Sequence, residues 1–355
     1  MEYKYPVAKP SFEGNEKKYL ENVINSGVIS SQGNYIPEFE KDFAKYNGVK
    51  HGIACSSGTA ALTIAVKSLN LNPDDEIIVP EFTMIASAWA VKYGGAKPVF
   101  VDCGDDLNID VSKIEEKITQ KTKAIMPVHI YGRRCNMDRI MEIAQKYNLR
   151  VIEDSAESHG VKPVGDIACF SLYGNKIITA GEGGIAVTND DHLDFQMRHL
   201  RSMAFSTTHD FLHAKEANNF RMTNMQAAIA KAQLEQLPAF LEKRKEIETH
   251  YDKGLEGIAG ITVMPKRDVV WFYDVLTKDR EKLQRHLEDN GIETRQFFKP
   301  MSRQPVFGGN TTTFWKDLKA NKFGDSGIYI PTYIGLSTKD QDFIIEKIKD
   351  FYSSH

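Results

Sequence analysis

The chain lacks the features that would place it in several broad classes. Its four cysteines, Cys55, Cys103, Cys135 and Cys169, are isolated and form no CxxC pair. That excludes a disulfide scaffold and a cysteine zinc site. Reduced, buried thiols in a cytoplasmic protein are expected, with no metal. No apolar run reaches membrane-spanning length, and Met1-Glu2-Tyr3-Lys4 does not begin a signal peptide. Charge of one sign is scarce. The net value of -3 implies no general affinity for nucleic acid or membrane, while local basic sites stay open. There is no GxGxxG dinucleotide fingerprint, no GxxxxGK[ST] P-loop, no internal repeat and no linker rich in Pro, Gly or Ser.

What is present is an ordinary soluble profile, 41% hydrophobic and 26% charged, over 355 residues. That length supports roughly two domains. Residues 1–35 read as an arm followed by a helix, about Gly14 to Asn25, and Ile36 to Tyr46 reads as a second helix. From His51 onward short apolar runs alternate with helical patterns. Strands are expected at Gly52–Cys55, Glu76–Val79, Lys97–Val101, Lys123–Val128 and from Leu149, with helices at Ser57–Leu69, Thr83–Lys92 and Asn136–Tyr147 between them. Such a series predicts an α/β fold, a mainly parallel sheet covered by helices on both faces. Ser206 to Asn218 reads as a loop. Met222 to His250 reads as a long helix broken or kinked at Pro238. The remainder mixes strands (Ile261–Met264, Val269–Leu276) with helices (Asp279–Asn290, Lys339–Phe351), which predicts a smaller α+β domain. The expected division is 1–240 and 241–355, closely packed.

Chemistry concentrates between Leu149 and Thr188. One apolar run ends in Glu153-Asp154. A second, Ile167 to Leu172, leads into Tyr173-Gly174-Asn175-Lys176, and Gly181-Glu182-Gly183-Gly184 follows. An acid and a lysine at strand ends fit pyridoxal phosphate, Asp154 pairing with the ring nitrogen and Lys176 forming the Schiff base. Elsewhere Ser57-Gly58-Thr59 starts a helix after a strand, where free N–H groups and a permissive Gly suit a phosphate.

With these residues, and with Ser56-Ser57-Gly58-Thr59-Ala60-Ala61-Leu62, Ile152-Glu153-Asp154, His159-Gly160, Phe170-Ser171 and Asn219-Phe220-Arg221-Met222, the chain resembles a known family. It is similar to the sugar aminotransferases of pyridoxal-phosphate fold type I, from about Pro10 to the C-terminus. The form Tyr173-Gly174-Asn175-Lys176 looks most like the C4-aminating branch, the perosamine and viosamine synthases. A related dehydratase branch has histidine at the place of Lys176 and is disfavoured.

The resemblance implies an aspartate-aminotransferase-like fold and a homodimer with shared sites. It implies pyridoxal phosphate as cofactor, converted to pyridoxamine phosphate between half-reactions. Lys176 is then the catalytic base and attachment point, and Asp154 partners the ring nitrogen. Ser57, Gly58, Thr59 and Ser171 hold the phosphate, joined by Asn219 from the neighbouring subunit. Met84 stands where an aromatic residue often covers the ring, and Glu157, often Gln in the family, lies beside the cofactor's O3′. His159, Arg201 and Arg295 fall on the substrate side, with Lys299 a further possible cation. The implied substrates are L-glutamate, released as 2-oxoglutarate, and a nucleotide-linked 4-keto-6-deoxy sugar, which becomes the 4-amino sugar. A C3 aminotransferase of the same family is the nearest alternative. A non-catalytic sensor of the same fold is disfavoured by the retained Lys176. The segment from His159 to Asp166 is shorter than usual for the family, which predicts a shortened hairpin or loop.

Overall fold

The computed structural model describes residues 3–205, 211–213, 215–308 and 317–354. The loop expected at 206–218 therefore lies partly outside the described residues.

Strands β1 (His51–Cys55), β2 (Glu76–Pro80), β3 (Lys97–Val101), β4 (Thr122–Ile125), β5 (Arg150–Asp154), β6 (Ile167–Ser171) and β7 (Gly184–Thr188) form one sheet in the order β1-β7-β6-β5-β4-β2-β3. The pairs from β6 through β5, β4 and β2 to β3 are parallel, and β7 runs antiparallel to both β1 and β6. The sheet is thus mainly parallel, as the alternating pattern predicts. Its inner strands are continuous apolar runs because both faces are covered.

Ten described helices surround the strands: α1 (Glu16–Ser26), α2 (Tyr35–Asn47), α3 (Gly58–Ser68), α4 (Ile85–Tyr93), α5 (Met137–Tyr147), α6 (Asp191–Arg201), α7 (Asn224–Leu255), α8 (Arg280–Asp289), α9 (Lys319–Ser326) and α10 (Thr338–Ser353). On one face Ile64 and Val66 of α3 pack with Ile53, Ile77 and Ile152. On the other, Phe39 and Phe43 of α2 pack with Phe170 and Leu237. Side-chain caps set several helix starts: Ser57 for α3, Asn136 for α5 and a Thr223–Gln226 capping box for α7.

A second, smaller antiparallel sheet has the order β10-β11-β9-β8, from β8 (Ile261–Val263), β9 (Tyr273–Thr277), β10 (Arg295–Gln296) and β11 (Gly327–Ile330). The antiparallel β10 and β11 and helix α9 escape sequence reading, since Arg295–Gln296 is too short and too polar to carry a strand pattern. Two expectations are corrected. Helix α7 runs unbroken for 32 residues through Pro238, where a break was expected. The strand expected from Val269 begins at Tyr273, because Val269 to Phe272 is drawn out of the ladder by other partners. Val269 N–H bonds Gly132 O (3.0 Å), and the carbonyls of Val270 and Trp271 accept from Arg244.

Buried charges join the two sheets. Arg133, from the loop after β4, donates to both oxygens of Asp274 on β9 at 3.0 Å. Arg267 also bonds Asp274 and donates to Glu248 of α7 at 2.9 Å. All four side chains are buried. The four cysteines are likewise buried and unpaired. Among the described residues no helix is long and apolar enough to cross a membrane.

Candidate active site

The C-terminal ends of β5 and β6 and the N-terminus of α3 converge on one cavity of about 420 Å³. Parallel sheets present their loops, and so their chemistry, at this edge. A depression of about 520 Å³ between Ser30 and His199 is larger but holds no acid–lysine pair.

Asp154 closes β5 and is buried. Its Oδ2 accepts from Ser87 Oγ at 2.7 Å and its Oδ1 from Ala156 N–H at 3.1 Å. Burial raises its pKa, and the two donors and Lys176 only partly offset this. Lys176 lies beyond β6, where its N–H closes a turn onto Tyr173 O. Its Nζ stands 3.7 Å from Glu157 Oε1 and 3.7 Å from the centre of the Trp271 ring. Burial lowers the lysine's pKa against the pull of Glu157 and Asp154. Burial also raises Glu157 to about 7, although Lys176 and a Tyr131 N–H bond of 2.9 Å favour its charged form. A carboxylic acid and an amine with pKa values drawn toward each other suit proton transfer near neutral pH.

Tyr131 earns its place through strain. Its backbone φ is +52°, unusual for a side chain of this size. Gly132 follows at φ +86°, where an added Cβ would lie 1.9 Å from Val269 O. The Glu157 bond, and a Tyr131 hydroxyl that accepts from Phe298 N–H at 3.3 Å, hold the turn.

The opposite end of the cavity is a cradle. Ser57 caps α3 by accepting from Ala60 N–H at 3.1 Å. The N–H groups of Gly58 and Thr59 precede the helical ladder and have no intrahelical partner. A Cβ on Gly58 would come within 2.8 Å of Ser171 Cβ, and one on Gly184 within 2.4 Å of Ser57 O. The glycines thus press β6 and β7 against the helix start and leave its positive end facing the cavity. An aldehyde-bearing phosphate ester with a basic ring nitrogen fits this set: amine, acid and anion cradle share one space.

The structure gathers Ser57, Gly58, Thr59, Met84, Asp154, Glu157, Ser171, Lys176 and Arg295 around the cavity. Met84 sits at its rim, 51% exposed. Arg295 pairs with Glu293 at 3.0 Å and, with Lys176, supplies the cations of the described wall. Four residues stand apart. Arg201 commits its guanidinium to Glu40 Oε1 (2.6 Å) and Ala54 O (2.9 Å), tying α6 to α2 and β1. His159 is buried between Phe43 and Phe170, and burial drops its pKa to about 3, so its ring is neutral. Asn219 is exposed in a bridge to Ser202 and does not line the cavity. Lys299 is exposed and also lies off the wall. The short segment after His159 is a loop, pinned where Val164 and Gly165 N–H bond Glu153 Oε1 at 2.7 and 2.5 Å.

Sequence reading missed Trp271, Tyr329 and Asn175, all on the wall. Asn175 stands inside a motif already singled out, so its neighbour Lys176 was a usable signal. Trp271 and Tyr329 sit in apolar runs indistinguishable from core.

A model of the DegT/DnrJ/EryC1/StrS aminotransferase family matches residues 10–349. The GDP-perosamine synthase of Escherichia coli O157:H7 is 42% identical over 362 aligned residues, covering 98% of both chains. That of Caulobacter vibrioides is 43% identical, covering 96% of both. Among solved structures, S. venezuelae DesV superposes with a TM-score of 0.89 at 30% identity, covering 95% of this chain and 94% of its own.

Proposed function

The chain belongs to the DegT/DnrJ/EryC1/StrS aminotransferase family and is a pyridoxal-phosphate-dependent transaminase; from that premise we propose that it aminates C4 of a nucleotide-linked 4-keto-6-deoxy sugar with L-glutamate as donor. The observation that carries the sugar and the position is the full-length likeness to two proteins named GDP-perosamine synthase. It favours a GDP-linked acceptor and a GDP-perosamine product over C3 amination.

Bound pyridoxal phosphate supplies a carbonyl carbon to attach to and an electron sink for a carbanion. The chain's own residues do the rest. Lys176 is the attachment point, and once displaced its amine takes the proton from the donor's α-carbon. Its lowered pKa keeps a share of that amine neutral and basic. The Asp154 carboxylate, held by Ser87 and Ala156, keeps a proton on the ring nitrogen. Ser57, Gly58, Thr59 and Ser171 would anchor the phosphate, and Met84 would lie beside the ring. The net exchange is balanced: glutamate becomes 2-oxoglutarate, whose ketone oxygen comes from one water taken up, and the sugar C=O becomes CH–NH2, its oxygen leaving as one water.

In this reading residues 1–240 carry the cofactor and 241–355 complete the wall with Trp271, Arg295 and Tyr329. Arg295, at the mouth, meets the nucleotide diphosphate. Asn219, exposed and off the cavity wall of its own chain, would reach the site of a second subunit in a homodimer. The buried, unpaired thiols support a cytoplasmic location.

The test is a panel of GDP-, dTDP- and UDP-linked 4-keto-6-deoxy sugars with glutamate, with products identified by mass and NMR. A 4-amino GDP sugar is expected. A 3-amino product, or turnover only with 3-keto substrates, overturns the C4 assignment.

A further inference from the structure

Trp271 is 2% exposed and fixed from two directions. Its carbonyl accepts from Arg244 Nη1 at 2.6 Å, and the same nitrogen reaches Thr332 O at 3.1 Å. Its indole N–H donates to Asn175 O at 2.8 Å. Asn175 directly precedes Lys176, so the ring is tied to the segment that carries the lysine. Phe272, at 4.2 Å between ring centres, and Tyr131, at 5.9 Å, pack against the indole. The Lys176 ammonium stands over the ring face at 3.7 Å from its centre, well inside the range of a cation–π contact.

We propose that Trp271 is a positioning residue for Lys176: the indole face holds the ammonium, and the N–H bond to Asn175 fixes ring and lysine as one unit aimed into the cavity. The inference rests on Lys176 being the cofactor's attachment point, and its test is separable from that reading.

The contact discriminates between charge states. A ring face attracts an ammonium and offers a neutral amine almost nothing. The hold is therefore strong while the lysine is a cation and lapses when it gives up its proton. Other groups facing the lysine are Glu157 and Asp154, which favour the cation, and buried His159, which is neutral. Glu182 and Arg295 line the same cavity. Against these, burial favours the amine, so the indole sets part of the balance.

The experiment uses the full-length apoenzyme and two variants, Trp271→Phe and Trp271→Leu. Trace acetylation across the lysine titration range, read at Lys176 by peptide mass spectrometry, gives its midpoint, with exposed Lys17 as internal reference. Loss of the face in Trp271→Leu should lower the midpoint by roughly one unit, on the scale of a desolvated cation–π contact. Trp271→Phe keeps a weaker face and should fall by less. A packing role alone moves the midpoint the other way, since a loosened wall admits water and relieves burial. An unchanged or raised midpoint in the variants overturns the proposal. If Trp271→Leu does not fold, the direction in Trp271→Phe decides. Borohydride reduction of the holoenzyme, mapped in parallel, reports separately whether the cofactor sits on Lys176.

Discussion

Replacing Glu157 by Gln tests the electrostatics of the site most directly. The two side chains have the same shape, and Gln keeps an acceptor for the Tyr131 N–H bond. What is lost is a negative charge 3.7 Å from Lys176 Nζ. Coulomb's law at that distance, with an effective dielectric of about 20, gives roughly 4 kcal/mol, or about three pKa units. That is a ceiling. Burial pushes the Glu157 carboxyl up, which works against its charged form. Asp154 also remains to support the ammonium. The Lys176 midpoint should therefore fall by roughly one to three units. The sign follows from which form loses support, because removing an anion penalises the ammonium and leaves the amine untouched. Midpoints from trace acetylation of the apoenzyme, and the pH dependence of the cofactor's absorbance in the holoenzyme, should move together. A midpoint that stays put, or rises, would refute the coupling on which the description of this site depends.

Asp154→Asn should cut transamination at least roughly a hundredfold, by removing the charge that holds the ring proton, as steady-state assays can show. The same change should stabilise the apoenzyme at neutral pH. The folded pKa of Asp154 is raised, so its favourable contribution is complete below the ordinary value of 3.8 and disappears as pH rises through the folded value. An apoenzyme melting temperature lower than the parent's at neutral pH would contradict this. Gly58→Ala forces a Cβ to within 2.8 Å of Ser171. Cofactor affinity, measured by equilibrium dialysis, should weaken about tenfold or more while the fold survives. Lys176→Ala and Asn219→Ala, each inactive alone, should partly restore activity when mixed under conditions of subunit exchange, because one of the two shared sites then carries neither defect. Failure to recover, with exchange and single-variant inactivity verified, would assign Asn219 to its own subunit.

Much of this was legible in the sequence, for identifiable reasons. The β6 run is continuous and apolar because both sheet faces are covered, and β5 carries the buried pair Val151-Ile152; each ends abruptly in polar residues, so Asp154 and Ser171 stand out. Ser57-Gly58-Thr59 is legible because cap chemistry is local. Arg201 is less so. A guanidinium after a helix looks the same whether it meets a substrate or, as here, Glu40 far away in the chain. His159 raises the same difficulty, since only the packing of Phe43 and Phe170 reveals a neutral core ring. Pro238 misleads in the opposite direction: its local cost is real, but α7 is held along its length by α1, α2 and α10. Trp271 acquires its meaning from contacts with Asn175 and Arg244, and none of these lies near it in sequence.

The buried cluster of Arg133, Asp274, Arg267 and Glu248 has a mechanical consequence. Parting the two sheets would strip Arg133 of Asp274 in a region shielded from water, at a cost of about 3–5 kcal/mol for a broken buried pair. On that scale roughly one molecule in several hundred or fewer would be parted at any moment. The pair thus opposes a hinge between the sheets, which leaves the standing shape of the cavity and the side chains at its rim, Met84 and Arg295, to sort what enters.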